Sequence, residues 1–174
     1  GTRADFGKLK PILMQLEEND SFEILLFVTG MHLLKKYDYT GIEIEKCGFK
    51  NIFSFINQNE NDTMDHILAK TISGFSDYLK EYEPDLIIVH GDRVESFATA
   101  IVACLNNIFV GHIEGGEVSG TVDESMRHAI TKLSHFHFVS NEISKNRLIQ
   151  MGEMQDRIFV IGSPETDIMK SSNL

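Results

Sequence analysis

Cysteine, positive charge and long apolar runs are all scarce in this sequence, and each shortage excludes a class of protein. The 174 residues include two cysteines, Cys47 and Cys104, which form no CxxC pair, so a disulfide framework is not indicated and a reducing compartment fits better. Lys and Arg total 16 against 26 Asp and Glu, and the net charge of −10 disfavours a generic nucleic-acid binder. No run reaches the roughly 18 apolar residues of a membrane span, and the opening residues lack a secretory hydrophobic segment. We therefore expect a soluble, cytoplasmic protein without a membrane or nucleic-acid partner.

Apolar, β-branched segments alternate with helical patterns along the whole chain, which is typical of a parallel sheet with crossover helices. The apolar segments are nearly continuous, as expected for strands that are covered on both faces. The predicted strands span 22–29, 50–56, 85–90, 108–113, 136–140 and 157–161. The predicted helices span 6–18, 62–82, 94–106, 123–134 and 142–151. This order predicts a Rossmann-like, doubly wound α/β fold.

Nothing in the composition divides the chain into two domains. No repeat, low-complexity tract or Pro/Gly/Ser-rich linker interrupts residues 1–163, so we expect them to form one domain. Residues 164–174 are polar and begin with a proline, and they are predicted to start a linker.

Ionisable residues follow two of the predicted strands at the point where each strand ends. In a doubly wound fold, ligands bind at the carboxyl ends of the strands. Asp92 follows strand 85–90, Glu114 follows strand 108–113, and Asp123 comes after the glycine-containing loop behind Glu114. Three carboxylates on one edge of a sheet are suited to general acid–base chemistry if their surroundings separate their pKa values.

Two of these acids also have a purely structural interpretation. Asp92 can cap helix 94–106, and Asp123 is a natural N-cap for helix 123–134. Glu114 is more informative, because an acid directly after a buried apolar strand rarely remains without a partner.

Seven histidines raise the possibility of a metal site, but their spacing matches no HExxH or Cys/His zinc motif. A metallophosphoesterase built on Asp92, His90 and His112 is the alternative that remains. His90 and His112 are better explained as residues that orient the neighbouring acids. We therefore expect no metal.

The first five residues, GTRAD, precede a predicted helix and are a candidate anion site. Free N–H groups at a helix N-terminus favour phosphate, and Arg3 would add a planar donor suited to a diphosphate. No GxGxxG or GxxxxGK[ST] motif supports this assignment. The alternative, with equal weight, is that Asp5 only caps the helix.

Four segments together resemble a known enzyme family. They are HGDRVESFATAIVACLNNIFVGHIEGGEVSGTVDESMRHAITKLSHFHFV at 90–139, GTRAD at 1–5, TGMH at 29–32 and IGSPE at 161–165. The sequence closely resembles the hydrolysing UDP-N-acetylglucosamine 2-epimerases of sialic acid biosynthesis and their relatives in the legionaminic acid pathway. The resemblance extends over the whole chain, and HIEGGEVSGT followed by ESMRHAITKL is its most specific part.

The resemblance implies a glycosyltransferase-B-like enzyme of two Rossmann-like domains, with this chain similar to the N-terminal domain without its first strand. The implied reaction converts UDP-N-acetylglucosamine and water to UDP and N-acetylmannosamine through a 2-acetamidoglucal, with no metal or cofactor. The implied catalytic acids are Asp92, Glu114 and Asp123. The implied substrate and UDP contacts are Arg3, Ala4, Arg93 and His112.

Several further expectations follow from the same resemblance. The alternative substrate is UDP-2,4-diacetamido-2,4,6-trideoxy-glucose, the legionaminic acid precursor. A homo-oligomer is expected, and the isolated chain is expected to be inactive because the second domain would supply most UDP contacts. The remaining alternative of another class is a non-catalytic module that binds a sugar nucleotide.

Overall fold

The computed structural model describes residues 1–34 and 40–163. These residues form two compact units, a smaller one over residues 1–67 and a larger one over residues 68–163. The prediction of one domain over residues 1–163 stays a prediction, and the linker predicted at 164–174 lies outside the described residues.

Strands and helices alternate in the order that the sequence predicts. The strands are β1 (Leu25–Val28), β2 (Asn51–Ser54), β3 (Leu86–His90), β4 (Phe109–Ile113), β5 (Phe136–Val139) and β6 (Ile158–Val160). The helices are α1 (Arg3–Glu17), α2 (Gly41–Glu45), α3 (Met64–Glu81), α4 (Val94–Leu105), α5 (Val122–Leu133) and α6 (Glu142–Gln150). Each predicted strand and helix is present, while α2 has only five residues and is too short to show a helical period in the sequence.

In the smaller unit, β1 and β2 pair in parallel, with Leu25 beside Asn51. Its core lies between this pair and the helices α1 and α2. The buried core residues are Phe6, Val28, Leu33, Ile44 and Phe49.

The larger unit is built on a four-stranded sheet in the order β3-β4-β5-β6. All neighbouring strands are parallel, so each connection crosses over through one of the helices α4, α5 and α6. The Rossmann-like, parallel α/β fold predicted from the sequence is therefore confirmed.

One face of this sheet carries the core of the larger unit. The side chains that face α4, α5 and α6 are almost fully buried: Ile87, Val89, Val110, His112, His137, Val139 and Ile158. On the opposite face, the first residues of β3 and β4 and part of β6 are exposed, among them Ile88 at 39%, Phe109 at 55% and Phe159 at 45%, whereas His90 and Ile113 at the carboxyl ends are buried. The expectation that the apolar strands are covered on both faces is thus wrong for these exposed parts of β3, β4 and β6. An apolar run cannot by itself distinguish one covered face from two.

None of the helices in the described parts of the chain is both long and apolar enough to cross a membrane.

Leu148 on α6 provides a test of the core of the larger unit. Its side chain is fully buried and packs against Val139 and Ile158. We expect Leu148→Ala to lower the free energy of unfolding by about 2–5 kcal/mol, because it removes apolar contacts and leaves a cavity. Urea denaturation would measure the change. As a matched control, Leu105→Ala at the end of α4, where the side chain is 77% exposed, should change stability by less than about 0.5 kcal/mol. Equal losses in the two variants would contradict the assigned core.

Candidate active site

The carboxyl edge of the four-stranded sheet brings two of the predicted acids onto neighbouring strand ends. In the register of the sheet, His90 at the end of β3 lies beside Ile113 at the end of β4. The ladder continues past both strands, since the Gly91 N–H donates to the Ile113 carbonyl at 2.9 Å. Asp92 and Glu114 therefore leave the same edge of the sheet, as the strand-end rule predicts.

Glu114 is held in an unusual backbone conformation. Its φ is 61°, in the left-handed region, which costs a residue other than glycine about 1–2 kcal/mol. Its N–H donates to the Phe138 carbonyl at 2.9 Å, so the hydrogen bonds of the sheet fix the backbone there. The Glu114 carboxylate lies 3.1 Å from His90 Nε2 and accepts from Ser163 Oγ at 3.5 Å. The buried imidazole of His90 thus orients Glu114, as the sequence predicts.

Asp92 forms an ion pair with Arg127 of α5 and does not cap α4. The N-cap residue of α4 is Arg93, whose side chain makes no capping hydrogen bond. Both partners of the pair are largely buried, with 21% of the Asp92 side chain and 11% of the Arg127 side chain exposed. Arg127 Nη1 is buried without a hydrogen bond among the described residues.

Sequence reasoning missed Arg127. The available signal was its position four residues after Asp123 on the same helix, which places the two side chains on one face. The helical spacing shows that Asp123 and Arg127 share a face of α5, but it does not show which strand end this face approaches. Asp92 could therefore not be identified from the sequence as the partner of Arg127.

His112 lies beneath this edge and not on its surface. It is completely buried, its Nε2 donates to the Gly91 carbonyl at 2.7 Å, and its Nδ1 accepts from the Thr131 hydroxyl at 3.1 Å. Burial lowers the pKa of His112 to about 3, so the imidazole is neutral. Since both ring nitrogens are engaged, the geometry does not support the direct ligand contact predicted for His112. The geometry supports the other sequence prediction, that this histidine orients an acid. His112 holds the carbonyl of Gly91, and Gly91 is the residue directly before Asp92.

Two glycines after Glu114 are required by close packing. A Cβ on Gly115 would lie 2.9 Å from His112 Nδ1 and 3.1 Å from the Thr131 hydroxyl. Gly116 has a φ of +80°, and a Cβ there would lie 2.7 Å from the Ser144 carbonyl oxygen. The Gly-Gly pair therefore lets the loop sit directly on the buried His112–Thr131 pair and on α6.

The remainder of this loop is fixed by carboxylates. Glu117 accepts from the Ser144 hydroxyl at 2.9 Å at the start of α6. Glu124 accepts from the N–H groups of Ser119 and Gly120 at 2.8 and 2.7 Å, and these bonds lower the pKa of Glu124. The loop in front of α5 is thus tied at both ends.

Asp123 is the second residue of α5 and not its N-cap, which is Thr121. Its side chain accepts from the Thr121 hydroxyl at 3.3 Å. The structure brings Asp92 and Glu114 to one edge of the sheet. Asp123 is connected to Asp92 indirectly, because it lies on the same helix as Arg127, which pairs with Asp92. The role of Asp123 stays a prediction.

Arg3 and Ala4 lie in the smaller unit, in the exposed first turn of α1. Thr2 is the N-cap, and it exchanges hydrogen bonds with Asp5: the Asp5 N–H donates to the Thr2 hydroxyl at 3.2 Å, and the Thr2 N–H donates to the Asp5 carboxylate at 2.9 Å. Two of the N–H groups proposed for an anion are therefore already used, which favours the structural interpretation of this turn. Arg3 Nε pairs with Glu43 at 3.2 Å.

The histidines do not assemble a metal centre in the described parts of the chain. No group of three or more His, Cys, Asp or Glu side chains is placed to hold a metal ion among residues 1–34 and 40–163. His90 and His112 have the partners given above, and the buried His137 lies 3.3 Å from the Glu153 carboxylate. The geometry of the metallophosphoesterase alternative is therefore not observed.

The fold and the residues at this edge define a class of protein. It is a Rossmann-like α/β unit whose strand ends carry paired ionisable groups suited to acid–base chemistry. Comparison with known proteins then identifies the family. The family model described as UDP-N-acetylglucosamine 2-epimerase matches residues 14–173. The chain belongs to this family.

Among curated relatives, the chain is 49% identical over its whole length to a UDP-N-acetylglucosamine 2-epimerase of Neisseria meningitidis serogroup B, of which it covers 46%. It is 43% identical, over 96% of its length, to a UDP-N,N'-diacetylbacillosamine 2-epimerase (hydrolyzing) of Legionella pneumophila, of which it covers 45%. The chain thus spans about half the length of these relatives.

Solved structures agree with this assignment. The chain resembles a UDP-GlcNAc 2-epimerase from Neisseria meningitidis bound to UDP-GlcNAc, with a TM-score of 0.84 and 27% identity, over 94% of this chain and 44% of that one. The enzyme from Methanocaldococcus jannaschii gives a TM-score of 0.82 at 27% identity, again over 94% and 44%.

The buried His112 makes the stability of the chain depend on pH. The folded chain holds His112 neutral to about pH 3, while the unfolded chain protonates it near pH 6.5, so the native state binds fewer protons below pH 6.5. We expect this residue to cost on the order of 2 kcal/mol of stability between pH 6.5 and pH 5. Urea midpoints of the wild type and of His112→Gln over this range would measure the difference in slope. The exposed His66→Gln serves as the control and should keep the wild-type slope. Identical slopes in all three proteins would refute the assignment of a buried, neutral His112.

Proposed function

We propose that the enzyme carrying this chain is a hydrolysing UDP-N-acetylglucosamine 2-epimerase, which converts UDP-N-acetylglucosamine and water to UDP and N-acetylmannosamine. The observation that carries the proposal is the pair of carboxylates on adjacent strand ends with different partners. Asp92 lies against the Arg127 guanidinium, and Glu114 lies against the His90 imidazole. Two acids in unlike surroundings are what a reaction with separate proton-removal and proton-return steps requires.

The proposed reaction has two steps. In the first, a carboxylate removes the proton at C2 of the sugar, the C1–O bond breaks, and UDP leaves with the electron pair, which gives a 2-acetamidoglucal. In the second, water adds across the double bond: a proton returns to C2 with inverted stereochemistry and the water oxygen bonds to C1. We assign the proton transfers at C2 to Asp92 and Glu114, and the binding of sugar or water to Asp123.

Charge balance supports these assignments. The leaving diphosphate gains negative charge, and a chain with a net charge of −10 needs local cations to stabilise it. Arg127 and Arg93 supply positive charge next to Asp92 on the same edge. Arg3 and Ala4 remain in the proposal as nucleotide contacts on the resemblance alone.

The whole enzyme is proposed to have two Rossmann-like domains in a glycosyltransferase-B-like arrangement, with the second domain supplying most UDP contacts. The relatives that bind UDP-GlcNAc in solved structures are about twice the length of this chain, which supports this view. The isolated chain is then expected to be inactive, and the cytoplasmic, homo-oligomeric state stays part of the proposal.

A second substrate is favoured by a specific observation. The Legionella relative, at 43% identity, is described as a hydrolysing UDP-N,N'-diacetylbacillosamine 2-epimerase. The alternative proposal is therefore the same reaction on UDP-2,4-diacetamido-2,4,6-trideoxy-glucose. We keep UDP-N-acetylglucosamine as the first proposal, and the 49% identity to the Neisseria UDP-N-acetylglucosamine 2-epimerase supports this choice.

Product analysis separates these substrates. The full-length enzyme is incubated with each nucleotide sugar, and the released sugar is identified by NMR. We expect UDP release and N-acetylmannosamine from UDP-N-acetylglucosamine, with slower turnover of the diacetamido sugar. Faster turnover of the diacetamido sugar would establish the alternative substrate. Product that keeps the sugar attached to UDP, or no product from either compound, would overturn the hydrolytic reaction.

Isosteric variants test the two acids. Asp92→Asn and Glu114→Gln should each lower kcat by about 10²–10⁴-fold, because proton transfer by a positioned carboxylate contributes this much. Asp85→Asn is the matched control, since Asp85 is exposed and precedes β3 at the opposite edge of the sheet. Steady-state UDP release measures the rates, and circular dichroism checks the fold. A variant of Asp92 or Glu114 as active as the control would remove that residue from the mechanism.

A further inference from the structure

The loop after β4 rests on one face of α6. Asn141, the N-cap of this helix, Ser144 and Arg147 follow one another at three-residue spacing, so their side chains lie on the same face. All three side chains donate hydrogen bonds to two consecutive residues of the loop, Gly116 and Glu117. We call these three residues of α6 the clamp.

The clamp holds the loop by its backbone and by a side chain. The Arg147 guanidinium donates to the Gly116 carbonyl. The Ser144 hydroxyl and the Asn141 amide donate to the same Glu117 carboxylate oxygen, at 2.9 and 3.3 Å. The Asn141 side chain also accepts from the Ser144 N–H at 2.9 Å, which fixes the clamp to the start of its own helix. The loop is therefore attached to a rigid element.

The clamp lies directly after the strained acid of the candidate active site. Glu114 precedes Gly116 by two residues and has a φ of 61°. A residue other than glycine keeps such a conformation only where its surroundings over-determine it. The sheet holds the amino side of Glu114, through the bond from its N–H to the Phe138 carbonyl, and the clamp holds the chain two residues later.

The conformation of Glu114 decides where its carboxylate lies. In the present conformation the carboxylate is 3.1 Å from His90 Nε2. Without the clamp, the chain after Glu114 is free to relax out of the left-handed region, and the carboxylate moves with the backbone. A displacement of about 1 Å of a reacting group can lower a rate by about 10²-fold.

We propose that Asn141, Ser144 and Arg147 are positioning residues that hold Glu114 in its strained conformation, with its carboxylate against His90. This inference rests on the proposed function in taking Glu114 as a proton-transfer group. It predicts an effect on the chemical step and not on binding of the nucleotide, because the clamp acts on the substrate only through Glu114.

The first measurement is a split between kcat and KM in the full-length enzyme. Arg147→Met removes the donors but keeps the aliphatic part of the side chain, and we expect it to lower kcat about 10–10²-fold with KM changed less than threefold. Ser144→Ala removes one of the two donors to Glu117 and should act in the same direction by about threefold. Arg157→Met is the matched control, since Arg157 is exposed just before β6 in the same unit, and it should leave kcat unchanged.

The second measurement is a double-mutant cycle with Glu114→Gln. If the clamp acts through Glu114, Arg147→Met should lower kcat in the wild type but change the residual rate of the Glu114→Gln enzyme less than twofold. A general loss of stability would lower the rate equally in both backgrounds. If Arg147→Met does not fold by circular dichroism, Ser144→Ala takes its place in the cycle.

The third measurement needs no turnover. Crystal structures of the full-length wild type and of Arg147→Met, or of Ser144→Ala if Arg147→Met does not fold, give the φ of Glu114 and its distance from His90. We expect φ to leave the left-handed region in the variant, or the carboxylate to move away from His90 by about 1 Å or more.

Four results would overturn the inference: equal losses of kcat with and without Glu114, a loss confined to KM, an effect of Arg157→Met as large as that of Arg147→Met, or an unchanged Glu114 in the variant crystal. A wild-type enzyme that releases no UDP would overturn the proposed function instead. The crystal comparison then decides by itself whether the clamp holds Glu114.

Discussion

The hydrogen bond from His112 Nε2 to the Gly91 carbonyl connects three parts of the larger unit at once. The imidazole belongs to β4, the carbonyl belongs to the turn after β3, and the second ring nitrogen accepts from Thr131 on α5. A neutral imidazole can do this because it is a donor on one side and an acceptor on the other. Complete burial keeps it neutral, and Gly115 leaves the space that it needs. The positions of the groups at the strand ends depend on this contact.

The same face of α5 makes a second connection one turn earlier. Arg127 and Thr131 are four residues apart, so they point in the same direction from the helix. One reaches Asp92, and the other reaches the histidine that holds the residue before Asp92. The acid is thus fixed both through its backbone and through its side chain. This arrangement leaves little freedom at the residue to which we assign proton transfer, as preorganised catalysis requires.

Strain and charge are both concentrated at this edge. Glu114 adopts a left-handed backbone conformation that the sheet enforces, and this conformation turns its carboxylate toward His90. Cations are few in a chain with a net charge of −10, yet Arg93 and Arg127 both lie within this group of acids. Positive charge is therefore present at this edge, where the proposed departure of a diphosphate needs it.

The sequence by itself determined the order and type of the major elements, because buried strands and amphipathic helices differ in their periodicity and because strand ends define an edge. It also placed Asp92 and Glu114 on that edge. The partners of those acids were decided by tertiary structure alone. Arg127 looks like an ordinary helix residue, Asp92 looks like a helix cap, and His112 looks like a ligand contact. Each of these interpretations changes once α5 packs on the sheet, since a contact between residues far apart in the chain leaves no local pattern in the sequence.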